Sequence, residues 1–153
     1  MSSTSGTFSV TDSTAPTVDF DPADGSTSVA IDTDITITFD EEVRLINNST
    51  INDTNVDSLI TLKDTNSSGS DISFDATIDS DKKIITVDLV SDISSEQIVY
   101  VAIGATVEDS YDNTISTYNV QVKCVLPHPL VLSNNLPEPY DRARLLKFTK
   151  DND

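Results

Sequence analysis

An all-β fold, an antiparallel sandwich of two sheets with about seven strands, is predicted by three features of the 153-residue sequence. Apolar residues alternate with polar ones at a period of two in run after run. Clusters of turn-forming residues separate the runs, and no stretch has the spacing of a long amphipathic helix. In the first clear run Ile35, Ile37 and Phe39 face one way while Thr36 and Thr38 face the other. The pattern returns at Ile72, Phe74, Ala76 and Ile78, at Ile85, Val87 and Leu89, and at Val99, Val101, Ile103, Ala105 and Val107. It closes at Tyr118, Val120, Val122 and Cys124. Ile, Val and Thr suit a half-buried pleated surface because their branched Cβ packs well there.

Strands are therefore expected near 17–20, 28–31, 34–40, 59–63, 72–79, 83–90, 97–108 and 114–124, with "DPADGS", "DTNSSGSD", "DSDKK" and "EDSYDN" as turns. The first two count as one edge strand broken by "PADG", since Pro22 has no N–H for a ladder. An odd number of passes then puts the two ends of the domain at opposite poles. Between 44 and 62, "RLINNSTINDTNVDSLITL" is too polar and irregular for a strand before Leu59, and Asn52 or Asp53 is expected to cap a single helical turn. The expected core holds Ile35, Ile37, Phe39, Val87, Val101, Ile103, Val120 and Val122.

Composition narrows the function. The chain carries 26 acidic and 9 basic side chains, a formal net charge of −17. Such a surface excludes nucleic-acid binding through a basic face and disfavours anionic membranes, but it leaves cations as partners. The charge is uneven. Residues 1–126 hold 22 acids and 5 bases, whereas 127–153 hold 4 of each. This shift divides the chain into a linker or end of a preceding module at 1–15, a sandwich domain at 16–126, and a Pro-rich then basic tail at 127–153. In the first segment Phe8 and Val10 make a small alternation of their own. In the tail, Pro139 suits a helix start ahead of Leu145, Leu146 and Phe148, set against a plain linker. The single cysteine, Cys124, excludes a disulfide framework and a Cys-based zinc site. No apolar run is long enough to insert into a membrane.

Two stretches carry a resemblance. The run "APTVDFDPADGSTSVAIDTDITITFDEEV" places Pro16, Pro22, Asp24, Gly25, Val29, Ile35, Ile37, Phe39 and Glu41 in the pattern of a Pro, a strand, a "P-x-D/N-G" turn, a Val, and "I-x-I-x-F" followed by an acid. The stretch from Tyr100 to Asn113, "YVAIGATVEDSYDN", is similar to a strand ending in "D-x-x-G-N". Together they resemble the bacterial immunoglobulin-like domains of S-layer and other surface proteins, over roughly 16–123. Glu42 stands where Pro is frequent and Asp112 where Gly is usual. Asp tolerates the left-handed conformation better than most residues, so the turn survives. The resemblance implies an extracellular or cell-surface spacer or adhesive unit in tandem arrays and names no ligand; the expected partners are neighbouring modules of the same chain, with a surface glycan or a protein as a further candidate. It implies no required cofactor and no catalysis.

Catalytic groups are scarce. His128 lies between Pro127 and Pro129, where nothing orients it, and Cys124 continues the inward face of its strand. There is no "G-x-S-x-G", no phosphate-cradling loop and no "H-E-x-x-H". Carboxylate pairs abound by number alone, and without Trp the chain lacks the sugar platforms of a glycosidase. Two alternatives to the spacer stand: an accessory polysaccharide- or protein-binding module of a secreted enzyme, and a small hydrolase using surface carboxylates.

The eight acids between 17 and 43 read as outward strand positions and turn formers. "DTNVD", Asp53 to Asp57, mimics half of an EF-hand loop but lacks the Gly and the distant Glu. "NNST", "NDT" and "NSS" match N-glycosylation acceptors, which count only in a eukaryotic secretory pathway. Alternating passes gather Asp40, Glu41, Asp79, Asp81, Asp109, Asp112 and Asn113 at one pole, with Asp12 in the linker just before it. Asp40, Glu41, Asp109, Asp112 and Asn113 are the candidate calcium ligands, a hard cation being suited to oxygen donors.

Overall fold

Alternating branched residues build two four-stranded sheets that pack face to face. The computed structural model describes residues 6, 8–90 and 93–125; the tail at 127–153, with His128 and the helix start at Pro139, lies outside the described residues. The described strands are β1 (Val18–Asp21), β2 (Val29–Ala30), β3 (Ile35–Phe39), β4 (Arg44–Leu45), β5 (Ile60–Asp64), β6 (Phe74–Ile78), β7 (Ile84–Leu89), β8 (Ile98–Ile103), β9 (Val107–Glu108) and β10 (Tyr118–Val125). One sheet runs β1-β3-β7-β6 and the other β2-β10-β8-β5, while β4 and β9 form a small pair of their own. All pairings are antiparallel except the short parallel contact of β2 with β10.

All eight expected core residues are buried, with Ile37, Val87, Val101 and Ile103 fully so. Cross-strand register explains why they meet. Ile35 lies opposite Val87 and Ile37 opposite Ile85 in the first sheet, while Val101 lies between Leu62 and Val120 in the second. The irregular stretch after β4 adds fully buried Ile51 and Val56, which alternation does not flag.

Besides β4 at Arg44–Leu45, a two-residue strand in a stretch expected to hold none, four details differ from the pattern-based expectation. First, β1 and β2 are not one broken edge strand. β1 pairs with β3 in one sheet, and β2 pairs with β10 in the other. The chain crosses between sheets at "PADG" because Gly25 N–H donates to the Gln121 carbonyl and Gln121 N–H to Asp24 Oδ1 (2.9 and 2.8 Å), which docks the turn on the β10 edge. Second, the strand expected over 97–108 breaks at Gly104–Thr106. A tight turn from Thr106 N–H to the Gly104 carbonyl turns Ala105 out to solvent, and β9 then pairs with β4. Third, β10 starts at Tyr118, later than expected, because Thr114 bridges to Glu108 and Ile115 N–H donates to the Val107 carbonyl.

The fourth concerns the helical turn. It is a 3-10 turn at Val56–Leu59; Asn55 directly before it makes no side-chain cap bond, while Asn52, one of the two expected caps, accepts Thr54 N–H on its Oδ1 (2.9 Å) and Val56 N–H on its carbonyl (3.0 Å). Asp53 and Asp57 do something else. Asp57 Oδ1 accepts Ala76 N–H (2.9 Å) and Asp53 Oδ1 accepts Ile78 N–H (3.1 Å). Both donors belong to β6, an edge strand whose outer N–H groups would otherwise offer themselves to another chain. The "DTNVD" motif is thereby accounted for as an edge cap.

Direction along the sandwich follows from register. β1 starts beside the end of β3, since Val18 lies opposite Phe39. β10 starts from the loop after β9 and carries the chain about 25 Å to the far pole at about 3.3 Å per residue. The domain is thus entered at one pole and left at the other.

Two outcomes are expected. Phe39→Ala should cost about 3–5 kcal/mol in denaturant unfolding, because the ring is fully buried between the sheets. Asp57→Ala should cost about 1 kcal/mol for the lost acceptor and increase concentration-dependent association by scattering, since it bares the β6 edge. An Asp57→Ala variant as monodisperse as the parent would show that the edge is protected by other means.

Candidate functional site

Four segments converge at the pole where the chain enters: the linker at 12–17, the loop after β3, the β6–β7 turn and the loop at 109–113. Hydrogen bonds tie the loop after β3 to the β6–β7 turn. Phe39 N–H donates to the Lys83 carbonyl, Val43 N–H to the Lys82 carbonyl, and Lys83 Nζ to the Asp40 carbonyl. Linker and body are joined by Thr17 N–H to Asp40 Oδ1 (2.8 Å) and by Asn113 Nδ2 to the Asp12 carbonyl (3.2 Å). Pro16, between these two anchors, is buried.

Asp109 is the organising side chain of the 109–113 loop and has no exposed surface. Its Oδ1 accepts the N–H groups of Tyr111 and Asn113 (2.7 and 2.8 Å), and its Oδ2 accepts Asn113 Nδ2 (2.7 Å). Burial alone pushes this carboxyl up. The Asn113 side chain, the two N–H groups and nearby Arg44 outweigh it and hold Asp109 below the usual carboxylate range. Asp112 takes the left-handed conformation expected of it, with φ of 69°. Its carboxylate pairs with Arg44 (2.7 Å), whose Nε holds the buried Glu108 (3.1 Å). Asp79 behaves like Asp109 on a smaller scale, accepting Lys83 N–H and Ile84 N–H across its turn (2.8 and 3.0 Å).

Of the five candidate ligands, the fold brings Glu41 and Asp109 together, and Asp12 joins them. One carboxylate oxygen from each of these three lies within 4.8 Å of the others. Asp40 is occupied with Thr17, Asp112 with Arg44, and Asn113 presents its amide nitrogen to Asp109 and Asp12. Glu41 feels the convergence. Burial first, then the charges of Asp109, Asp12 and Asp40, push its carboxyl up against the opposing pull of Lys83. Three carboxylates form half of a hard-cation shell at most, and Asp109 already accepts three donors, so water would fill the remaining positions. Asp12 was legible only as a neighbour in sequence; its approach depends on the Asn113 bond.

Elsewhere, Cys124 is buried, and burial pushes its thiol up, so it stays protonated. Among the described residues no helix is long and apolar enough to cross a membrane.

Residues 12–123 match the family model of the bacterial Ig-like domain. The chain belongs to that family. Among solved structures, this Ig-like domain is similar to CopC from Methylosinus trichosporium OB3b, at 14% identity and a TM-score of 0.48, over 75% of this chain and 98% of that one. No curated protein matches it.

Replacing Asp109 tests the loop. Asp109→Ala should lower stability by about 1–3 kcal/mol, because it strands the part-buried N–H donors of Tyr111 and Asn113. The pH dependence has a definite sign. A carboxyl held low in the folded state adds stability above its unfolded pKa, and that share is lost as pH falls through the folded value. The gap between parent and Asp109→Ala should therefore narrow in acid, read from urea melts at neutral and acidic pH. A gap that widens in acid would overturn the assignment.

Proposed function

We propose that this Ig-like domain is a non-catalytic spacer or adhesive module of a bacterial cell-surface or secreted protein. The observation that carries the reading is the opposed placement of its ends. A module entered at one pole and left at the other adds its full length to a chain of such modules. Membership in the bacterial Ig-like family supports it, as does a surface whose acids serve as turn acceptors and edge caps. Net charge of −17 adds repulsion between successive modules, which favours an extended array at low salt. The sequence of the parent gene is the direct test. Further copies of the domain support the spacer, whereas a neighbouring catalytic domain together with polysaccharide binding on a glycan array would establish the accessory role instead.

The entry pole is the proposed place for calcium, at Asp12, Glu41 and Asp109 with water. Binding to the folded form raises the melting midpoint with ligand concentration. Calcium should raise it more than magnesium at matched ionic strength, and Asp12→Asn with Glu41→Gln should remove the difference while Asp112→Ala leaves it. Equal effects of the two ions would reduce the pole to simple charge screening.

A further inference from the structure

Most borders of the two sheets carry something over their outward backbone groups. Asp53 and Asp57 take the outer N–H groups of β6, residues 70–72 bond along β5, and the Asp24–Ser26 turn with β2 lies along β10 from Gln121 onward. The border at β1 is different. Phe39 N–H donates to the Lys83 carbonyl, so Ile35, Ile37 and Phe39 turn their backbone groups toward β7, and Thr36 and Thr38 turn theirs toward β1. Register then leaves Asp19 and Asp21 bonded to β3, with the N–H and C=O groups of Val18 and Phe20 directed out of the sheet. No described residue meets those groups, although Phe20 is buried and a buried N–H normally has an acceptor. Pro16 and Pro22, the outward positions on either side, have no N–H, so the open window is the four residues of β1. Val18 and Phe20 face inward, and along the same border Val29 and Ile31 are left half-buried against the core. Asp19 and Asp21 stand exposed on the outer face, and neither joins an ion pair among the described residues. A strand that fills the window therefore needs apolar residues at alternate positions and a cation between them. We propose that the tail segment Leu146–Phe148 of the same chain pairs with β1 as an added edge strand, with Lys147 beside Asp19.

Charge, pattern and length select this segment. Residues 142–150, "RARLLKFTK", hold four bases and no acid in a chain whose net charge is −17. Within them "LKF" matches the "VDF" of β1 with the charge reversed. Leu146 and Phe148 extend the inward row of Val18 and Phe20, and Lys147 falls on the outer face among the carboxylates. Other occupants answer the charge less well. A second copy of β1 would set Asp against Asp, which destabilises a cross-strand pair. Phe8–Val10 would offer Ser9 at the central position, and Leu130–Leu132 would offer Val131. The described chain closes with β10 at Val125, at the pole toward which β1 runs. From there the 20 residues 126–145 span up to about 70 Å when extended, so the segment reaches β1 of its own domain. A tether of that kind holds it at an effective concentration of about millimolar, which favours the domain's own edge over that of another copy. The proposal does not rest on the spacer reading, since it concerns where the tail goes and not what the module joins.

Amide hydrogen exchange of the whole 153-residue chain, followed residue by residue by NMR, tests the pairing. In the parent chain the Val18 and Phe20 amides should be protected, and equally so at high and low protein concentration. Leu146→Asp with Phe148→Asp should speed their exchange by about tenfold or more, as expected for losing one or two backbone hydrogen bonds. The amides of β10 should keep their rates in that variant, as a control for the fold. Lys147→Asp should also speed the exchange, and adding Asp19→Lys to it should restore the protection. Equal rates at Val18 and Phe20 in the parent and in the Leu146→Asp, Phe148→Asp variant overturn the proposal, whether the edge is then bare or filled by another segment. Protection that falls on dilution overturns it as well, by assigning the added strand to a second copy.

Discussion

Every place where a strand leaves a sheet strips backbone N–H groups of their partners, and a buried or edge N–H without an acceptor costs roughly as much as a lost hydrogen bond. This domain satisfies that demand with short carboxylates. Asp24 accepts Gln121 N–H where the chain crosses between sheets, and Asp40 accepts Thr17 N–H where it enters. Asp53 and Asp57 cover the outer side of β6, Asp79 closes the β6–β7 turn, and Asp109 closes the loop before β10. Two apolar sheet faces in contact are stable only if their borders are closed in this way, so the core and the acid-rich rim are parts of one solution.

That solution explains a composition that invites other readings. A surplus of aspartate in short motifs looks like a set of ligand loops. In the folded domain several of those acids already have backbone donors, and Asp112 and Glu108 share Arg44. At the entry pole, Glu41, Asp12 and Asp109 are the acids whose carboxylates lie close together. Burial, and then the charges of Asp109, Asp12 and Asp40, raise the affinity of Glu41 for a proton.

The sandwich itself was legible in sequence because period-two alternation is a direct record of which side chains face the core. Ile35, Ile37, Phe39, Val87, Val101, Ile103, Val120 and Val122 all follow that record into burial. It failed where the backbone turns out of a sheet. Ala105 keeps the alternation but is exposed, because the turn at Gly104–Thr106 resets the phase before Val107. Ile51 and Val56 are fully buried without any strand-like periodic signal, since they reach the core from a loop and from the start of a single 3-10 turn.

By itself the sequence determined the fold class, the acidic surface, the polarity of the module and the pole where acids collect, since each depends only on local pattern and on the number of strand passes. Tertiary structure decided which sheet receives the first two strands, and which carboxylates keep free oxygens. Those outcomes rest on hydrogen bonds between residues far apart in the chain, such as Asp24 with Gln121 and Asn113 with Asp12. A side chain can be read as acidic from its letter. Whether it is a ligand, a cap or a clasp depends on which distant N–H the fold sets against it.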